Sequence, residues 1–594
     1  MQKYAVNQYH IEQILASIKS AEIAIPEIQR PFVWDKSKVR DLIDSLYKGY
    51  PVGYIITWQN PNIKLKDGSI SQGKKILIDG QQRITALTAS MIGQEIIDKS
   101  YEKIKIRIAF NPIEEKFEVQ NSAILKDKAW INDIAEVING DIFEVVDEYK
   151  KLNPEAESGI IQKSFQNLLN IPKKQIGVIE LSSDLDIETV TEIFIRINSK
   201  GVVLKQADFT MSKIASDEEN GGNELRKLID YFCHLSKTPH FAEHIEANDK
   251  DFVTSDFYQK IKWLKSENEN LYNPEYSDVL RVAFTLKFNR GKLSDLVSLL
   301  SGRNFETRTY EKEIVLQSFN KLREGVLAYI NETNFKRFLM IIKSAGFISP
   351  KLINSQYALN FAYIIYLKLR ELGTNPVDIE HYVKKWFVYS ILTGRYSNST
   401  ETTFDIDIKN IKEKTLPFYL KEKEEADLSD AFWNASLPQS MNTSSTSSPY
   451  FQVFLASQVV ANDKGFLSEG ITVADLIRLR GDIHHIFPKD YLQKNGYEKT
   501  QYNQIANLVY MQAEKNIKVG NKSPKEYLSI INQQINDEKL EITGIKTTND
   551  LVNNLAIHCI PENVIDLEAD GYHQFLLERR KSMSLKIKDY YNSL

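Results

Sequence analysis

The sequence predicts an α+β protein built from several domains, and three observations lead to this fold class. The chain has 594 residues, more than one ordinary domain holds. Near the N-terminus, short runs of β-branched and aromatic residues alternate with amphipathic segments, whereas residues 220–430 carry helical periodicity almost throughout. A strand-like run before a proline-marked turn comes again near residue 485. We therefore expect an α/β domain at residues 1–215, a helical middle domain at 216–435 and an α+β domain at 449–594.

Composition limits the class of protein further. Hydrophobic residues make up 42% and charged residues 26% of the chain, which is typical of a globular protein with sizeable cores. The two cysteines, Cys233 and Cys559, are too few for a disulfide framework and too distant for a CxxC zinc motif. Residues 1–20 lack the apolar core of a signal peptide, and the apolar stretch Leu359–Leu367 is too short to span a bilayer. We expect a cytoplasmic protein that does not associate with membranes.

Two strands and two helices are predicted in the first hundred residues. Val52–Trp58 is β-branched and aromatic, and Lys75–Ile78 is largely aliphatic, so each predicts a strand. Apolar residues at helical spacing predict a helix before the first strand: Val39, Leu42, Ile43 and Leu46. A similar spacing predicts a helix after the second strand: Ile84, Leu87 and Met91.

The junction Asp79-Gly80-Gln81-Gln82-Arg83 joins the second strand to its helix and has the properties of an anion site. The first N–H groups of a helix are unpaired, and the helix dipole is positive there. Gly80 would let a ligand approach the backbone, and Arg83 would add a planar donor group suited to phosphate. A tight strand-to-helix turn with a solvated Arg83 is the alternative for this motif taken alone.

A second cluster of polar residues lies near the C-terminus. Residues 482–488 have the sequence Asp-Ile-His-His-Ile-Phe-Pro, and Asn507 and Asn516 follow 22 and 31 residues after His485. A phosphodiesterase that uses one metal needs nitrogen or oxygen ligands for a divalent cation and a free imidazole that takes a proton from water. Two half-buried histidines in a capped turn are the alternative for the histidine pair alone.

This constellation resembles the HNH (ββα-metal) nucleases, whose core is a short hairpin followed by a helix. The resemblance makes His485 the general base and His484 a metal ligand. It makes Asn507 the residue that steadies the loop and the base, and Asn516 a metal ligand on the following helix. Asp482 is a further candidate at the metal. Many members have an aspartate where His484 stands, so Mn²⁺, Ni²⁺ or Zn²⁺ are candidates besides Mg²⁺; we expect Mg²⁺ or Mn²⁺.

Charge is distributed unevenly around the histidine pair. The whole chain has a net charge of −4, yet nine Lys or Arg stand against five Asp or Glu between Leu476 and Leu528. A basic face confined to one site fits phosphate contact, and it fits an ordinary solvated surface equally well. Three lysines are predicted to contact DNA: Lys515, Lys518 and Lys522.

The N-terminal part resembles the GmrSD family of modification-dependent restriction enzymes in three blocks. These are Ile28–Trp34, Asp79–Thr85 and Phe194–Phe209. The resemblance implies a ParB/sulfiredoxin-like nucleotide-binding domain that binds ATP, GTP, CTP or UTP, and a C-terminal HNH domain. The nucleotide site that it implies has these members: Gln29, Arg30, Asp79, Gly80, Gln82, Arg83, Arg196 and Asn198. Asp79 would either hold a metal or orient a water molecule.

The middle of the chain carries no catalytic motif. Tyr357–Leu372 and His381–Leu392 have the spacing of amphipathic helices, and Phe575–Leu594 predicts a closing helix. The Ser/Thr-rich segment 440–449 predicts a flexible loop before the C-terminal domain.

Together these features predict a nucleotide-regulated, metal-dependent DNA endonuclease of the modification-dependent restriction type, acting against phage by nicking or by double-strand cleavage. Its partners would be modified phage DNA, a nucleotide and a second copy of the chain in a homodimer. The alternative is a nucleotide-gated DNA clamp, or a sensor of a DNA modification such as a phosphorothioate, with a nickase domain.

Overall fold

The computed structural model describes most of the chain. The described residues are 3–20, 22–24, 32, 34–59, 75–97, 103–183, 185, 189–190, 193, 206–215, 217, 219–267, 270–479, 481–539 and 541–594. The chain forms two compact units, Met1–Lys227 and Leu228–Leu594. It is a mixed α/β protein that is mostly helical, as the sequence predicts. The predicted domain boundaries at residues 215, 435 and 449 stay predictions.

The first unit contains nine described strands. They are β1 (Tyr4–His10), β2 (Ile23–Ala24), β3 (Tyr54–Gln59), β4 (Lys75–Asp79), β5 (Ile96–Ile97), β6 (Lys103–Ile104), β7 (Ile108–Asn111), β8 (Lys116–Val119) and β9 (Gln175–Leu181). Five of them form a mixed sheet in the order β1-β9-β3-β4-β2. In this sheet β3 runs parallel to β9 and antiparallel to β4. The other four form the two-stranded sheets β5–β6 and β7–β8.

Several helices of the first unit share an apolar core with this mixed sheet. The described helices that begin in the first unit are α1 (Ile11–Lys19), α2 (Lys36–Lys48), α3 (Gln81–Leu87), α4 (Ile134–Asn139), α5 (Ile142–Leu152), α6 (Ser158–Leu169), α7 (Gln206–Ala215) and α8 (Gly222–Lys237). The boundary between the units falls inside α8. After α3 the chain continues as a π-helical turn over Thr88–Ile92.

Two apolar clusters cover the sheet of the first unit. Ile55, Leu77 and Val178 belong to the larger cluster, which also contains the four apolar residues that predicted α2. Ile56, Trp58 and Leu181 belong to a smaller cluster. Neighbouring residues of β3 thus enter different clusters, because successive side chains of a strand point to opposite faces. The predicted helix α2 and strands β3 and β4 are confirmed.

The second unit is largely helical up to residue 480. Its helices in this part are α9 (Phe241–Asn248), α10 (Lys250–Val253), α11 (Asp256–Ile261), α12 (Tyr276–Phe288), α13 (Leu293–Leu300), α14 (Lys312–Ile330), α15 (Glu332–Ser344), α16 (Gln356–Glu371), α17 (Pro376–Leu392), α18 (Thr400–Lys414), α19 (Leu416–Asp427), α20 (Leu437–Ser440), α21 (Pro449–Val460) and α22 (Val473–Arg478). The periodicity of 357–372 and 381–392 therefore predicted α16 and most of α17 correctly.

The loop between α20 and α21 is short and is anchored at its two ends, whereas residues 444–447 are exposed. Met441 is fully buried, and Ser448 is buried where α21 begins. The side-chain amide of Asn354 donates a hydrogen bond to the carbonyl oxygen of Ser447. These contacts fix the ends of the segment, and the flexibility that its Ser/Thr-rich composition predicts stays a prediction.

The C-terminal part of the second unit returns to β-structure. Its elements are β10 (Asp482–His485), α23 (Lys489–Lys494), α24 (Lys499–Tyr502), β11 (Leu508–Met511), α25 (Ala513–Val519), α26 (Pro524–Asn536), α27 (Thr548–Ile557) and α28 (Tyr572–Ser593). β10 and β11 pair antiparallel, so that His484 lies opposite Val509 and His485 opposite Leu508. The predicted closing helix is confirmed as α28. Among the described helices, none is long and apolar enough to cross a membrane.

Candidate functional site

A cleft of about 260 Å³ opens beside the β10–β11 pair. Its lining is mainly polar, with these members: His484, His485, Pro488, Lys489, Asp490, Asn516, Ile517, Gly520 and Asn521. Three elements supply them: the end of β10, the start of α23 and the helix α25 with the turn that follows it. The structure thus brings His484, His485 and Asn516 into one cleft, although 31 residues separate the last two in sequence.

His485 is half-buried in this cleft. Its Nε2 lies 2.9 Å from Oδ1 of Asn503, and its ring contacts the Tyr502 ring edge-on. Burial lowers the pKa of His485 below its usual range; the hydrogen bond with Asn503 opposes this shift, and the positive charge of Lys489 adds to it. His485 is therefore neutral at neutral pH, and a neutral imidazole is able to accept a proton.

Asn507 lies beneath the turn that follows β10 and is completely buried. Its Oδ1 accepts the backbone N–H of Phe487 at 2.9 Å. Its Nδ2 donates to the carbonyl oxygens of Phe487 and Tyr502, each at 3.1 Å. These bonds go to backbone groups, so Asn507 holds the loop in place, and the role at the base that the resemblance implies stays a prediction. The burial of Asn507 rules out contact with a substrate, and the amide side chain that hydrogen-bonds to the His485 ring is Asn503.

Sequence reasoning missed Asn503. It lies 18 residues after His485 in the polar stretch Gln501–Gln504. Nothing in its spacing or type separates it from neighbouring amide side chains such as Asn495. Asn503 comes close to His485 only in the folded chain, where the end of α24 lies beside β10.

A buried arginine of α28 supports the same segment. Arg579 is fully buried, and its Nη1 donates to the carbonyl oxygens of Ala506 and Leu508, at 2.7 and 3.0 Å. Its Nε donates to the carbonyl oxygen of His558 at 3.1 Å. Burial lowers the pKa of Arg579 to about 10. The arginine therefore fixes the backbone on both sides of Asn507.

The donors in the cleft fit a hydrated divalent cation. Within the described part of the chain, no group of three or more His, Cys, Asp or Glu side chains is placed to hold a metal. His484 and Asn516 line the cleft together with one residue that carries a carboxylate, Asp490. Mg²⁺ keeps several waters and takes few protein ligands, so it needs no larger set. Asp482 pairs with Met511 through its backbone, and its side chain lies outside the described atoms.

The three lysines predicted to contact DNA have partners within the protein. Lys515 donates to the Leu467 carbonyl at 2.7 Å, and burial lowers its pKa. Lys518 donates to the Glu541 carbonyl at 2.6 Å, and Lys522 to the Val519 carbonyl at 3.4 Å. The lysine that lines the cleft is Lys489, which is exposed.

The Asp79–Arg83 junction lies at the turn from β4 to α3 in the first unit. Gly80 has a φ of +96°, and a Cβ there would lie 3.1 Å from Cγ1 of Ile55. Nη1 of Arg83 donates to the Tyr54 carbonyl at 2.8 Å. A Cβ on Gly53 would lie 2.9 Å from Nη2 of the same arginine. Burial lowers the pKa of Arg83, and the nearby Asp79 opposes this shift.

The junction therefore brings together Asp79, Gly80, Gln82 and Arg83, and Arg83 is packed over Gly53 rather than solvated. Four predicted members of this site lie outside the described residues: Gln29, Arg30, Arg196 and Asn198. Gly53 is a position that sequence reasoning did not single out. Its signal was the Pro51-Val52-Gly53-Tyr54 turn before β3.

Comparison with known proteins bears on the first unit and on the chain as a whole. The chain is 22% identical to an uncharacterized protein of Methanocaldococcus jannaschii, over 87% of this chain and 86% of that protein. Residues 11–215 match the family model described as "GmrSD restriction endonuclease, N-terminal domain". The matched range contains the Asp79–Arg83 junction, so this part of the chain is similar to the N-terminal domain of the GmrSD restriction endonucleases.

Proposed function

We propose that the protein is a nucleotide-regulated, metal-dependent DNA endonuclease of the modification-dependent restriction type. One observation carries the nuclease assignment: His485 shares a polar cleft with His484 and Asn516, at the end of a strand pair that a helix follows. The match of residues 11–215 to the restriction family supports the same conclusion. An HNH-type site is the reaction centre that we assign to this cleft.

In this proposal each residue of the cleft has its own role in phosphodiester hydrolysis. His485 accepts a proton from the water molecule that attacks the phosphorus atom. His484 and Asn516 would hold the cation, with Asp482 as a further candidate. A bound Mg²⁺ or Mn²⁺ would stabilise negative charge on the phosphate oxygens. Asn507 keeps the turn at Ile486–Pro488 in place, so that the two histidines stay in the cleft.

We assign nucleotide binding to the β4–α3 junction of the first unit. Gly80 adopts a left-handed conformation directly before the first turn of α3, where the positive end of the helix dipole favours a phosphate. Arg83 supplies a guanidinium next to that turn. ATP, GTP, CTP and UTP all carry the triphosphate that this chemistry recognises.

One observation favours a second candidate function. The Arg83 guanidinium already donates to the Tyr54 carbonyl and packs over Gly53. These contacts leave fewer Arg83 donors for a triphosphate, and a nucleotide-gated DNA clamp or a sensor of a modification such as a phosphorothioate would bind its ligand elsewhere. The nuclease domain would then act as a nickase under the control of that clamp or sensor.

Plasmid cleavage tests the two functions against each other. The purified protein is incubated with modified and unmodified plasmid, with and without nucleoside triphosphate, and with EDTA followed by Mg²⁺ or Mn²⁺. An endonuclease that needs both cofactors linearises or nicks modified plasmid only when metal and nucleotide are present. Cleavage of modified plasmid that is indifferent to nucleotide supports the sensor and contradicts the nucleotide-gated clamp, and the absence of cleavage under every condition contradicts both functions.

We further propose that the protein acts in the cytoplasm on foreign DNA such as modified phage DNA, as a homodimer. Phage plating on cells with the intact chain and with His485→Ala tests the defence role. Equal plating on both strains would contradict it. Light scattering of the purified protein measures the assembly state.

A further inference from the structure

The general base proposed for the cleft has two ring nitrogens, and the structure distinguishes them. Nε2 of His485 lies 2.9 Å from Oδ1 of Asn503. An amide oxygen carries lone pairs and no hydrogen, so it is only able to accept. Nε2 must therefore carry the proton in this contact. A neutral imidazole has one donor nitrogen and one acceptor nitrogen, which leaves the lone pair on Nδ1.

We propose that Asn503 is a positioning residue that holds His485 in the Nε2-protonated tautomer and presents Nδ1 as the nitrogen that takes the proton. The inference rests on the proposed nuclease function for its kinetic consequence. Its structural content stands apart from that function, because a tautomer is measurable in the absence of DNA. The proton that leaves water goes to Nδ1, while the Nε2–H bond to Asn503 is kept throughout the step.

The acceptor in this contact is itself held in place. Asn503 follows α24, and its backbone N–H donates to the Lys499 carbonyl at 3.2 Å. The two carbonyls before it are also engaged. The Tyr572 hydroxyl donates to the Gln501 carbonyl at 3.0 Å, and Nδ2 of Asn507 donates to the Tyr502 carbonyl at 3.1 Å. A fixed backbone on this side gives the side-chain amide one direction in which to meet the histidine.

The contact also orients the ring. Tyr502, the neighbour of Asn503, packs edge-on against the His485 ring with a centroid distance of 6.2 Å. One hydrogen bond and one aromatic contact from the same end of α24 thus restrict both the rotation of the imidazole and its tautomer. Histidine sites commonly use the partner of one nitrogen to decide the state of the other.

The first test is spectroscopic and needs no substrate. The full-length protein is labelled with ¹⁵N-histidine, and the His485 resonances are assigned by their loss in His485→Gln. We expect wild-type His485 to be protonated at Nε2 and unprotonated at Nδ1. In Asn503→Leu, which removes the acceptor at similar volume, we expect a mixture of the two tautomers. Protonation of Nδ1 in the wild-type protein would overturn the proposal, because the Asn503 amide would then present its NH₂ group to Nε2.

The second test compares kinetic constants for plasmid cleavage. A neutral hydrogen bond of this kind contributes modestly, so kcat of Asn503→Leu should fall about 3- to 10-fold with KM nearly unchanged. Asn503→Asp retains an acceptor at the same place and should recover most of kcat. Asn495→Leu removes a similar amide, which donates to the Tyr491 carbonyl of its own helix, and it should leave both constants unchanged.

The outcomes of the two tests are separable. If the wild-type protein cleaves no plasmid, the proposed function fails, and the tautomer measurement still decides the role of Asn503. If Asn503→Leu keeps both the wild-type tautomer and the wild-type kcat, the positioning role is wrong. Thermal unfolding of each variant checks the fold, and a poorly folded Asn503→Leu leaves the decision to the tautomer of the wild-type protein.

Discussion

Asn507 and Phe487 are joined by two hydrogen bonds, one in each direction: the backbone N–H of Phe487 donates to Oδ1 at 2.9 Å, and Nδ2 donates to the Phe487 carbonyl at 3.1 Å. The side-chain amide of Asn507 thereby makes the two backbone hydrogen bonds that a neighbouring strand would make with Phe487, which lies beyond the end of β10. The bonds fix the turn directly after His485. A residue with no access to substrate thus determines where the cleft histidines lie.

Asn507→Ala should destabilise the protein and abolish cleavage. The change leaves a buried N–H group and two buried carbonyl oxygens without the amide, and each unsatisfied group costs about 1–3 kcal/mol. We expect a loss of about 3 kcal/mol in the free energy of unfolding, measured with urea. Asn495→Ala, at an exposed position, is the matched control. Wild-type stability in Asn507→Ala would mean that the turn after β10 does not depend on the Asn507 amide.

His485→Ala should abolish cleavage and leave the fold intact. A positioned general base contributes about 10²- to 10⁴-fold to the rate, so the cleavage rate should fall by that factor. Nucleotide hydrolysis should be unchanged. His573→Ala removes an exposed histidine outside the cleft and should cleave normally. Near wild-type cleavage by His485→Ala would remove this residue from the mechanism.

Stability should fall in acid because of His558. This histidine is fully buried, its Nε2 lies 2.9 Å from the Lys464 carbonyl, and its pKa is lowered to about 3, first by burial and then by the charge of Arg579. The unfolded chain binds a proton near pH 6.5, whereas the folded chain does so only near pH 3. The stability that neutral His558 provides is therefore complete above pH 6.5 and is lost as the pH falls toward 3.

The measurement is the free energy of unfolding at several pH values between 7 and 4. His558→Gln lacks the titrating group, so its stability should depend less on pH in this window. His573→Gln, at an exposed position, should follow the wild-type curve. Identical slopes for wild type and His558→Gln would place the acid sensitivity elsewhere.

Lys489 should contribute more to DNA affinity than Lys518. Lys489 is exposed in the cleft, whereas Lys518 donates to the Glu541 carbonyl and lies outside the lining. Removing one phosphate contact weakens binding and reduces the dependence of log K on log salt by about 1. Fluorescence anisotropy of labelled duplex across a salt series measures both. A larger effect from Lys518→Ala than from Lys489→Ala would contradict this assignment.

Much of the fold could be predicted from the sequence, because its signals are local. The periodicity of Val39–Leu46 predicts α2, and the residue types of Val52–Trp58 predict β3. The contacts of the site depend on distant parts of the chain instead. Asn503, which contacts His485, lies 18 residues after it in sequence, and the carbonyl that accepts from Lys518 lies 23 residues after that lysine. The cleft was predicted as far as His484, His485 and Asn516, whereas Arg579 and Asn503 gave no signal.

The last prediction concerns the β4–α3 junction. Arg83→Ala should weaken nucleotide binding about 10- to 100-fold, because a hydrogen bond to a charged group contributes about 1.5–3 kcal/mol. Gly80→Val should weaken nucleotide binding further, since φ is +96° there and a side chain would meet Ile55.

Nucleotide turnover and plasmid cleavage are measured side by side for each variant, and metal binding is measured by calorimetry. Lys48→Ala, which removes a surface ion pair with Asp44 on α2, is the control for loss of a positive charge. Arg83 also donates to the Tyr54 carbonyl, so thermal unfolding separates loss of stability from loss of binding. If Arg83→Ala is less stable yet binds nucleotide normally, the junction has a structural role only, and the clamp or sensor function must place its ligand elsewhere.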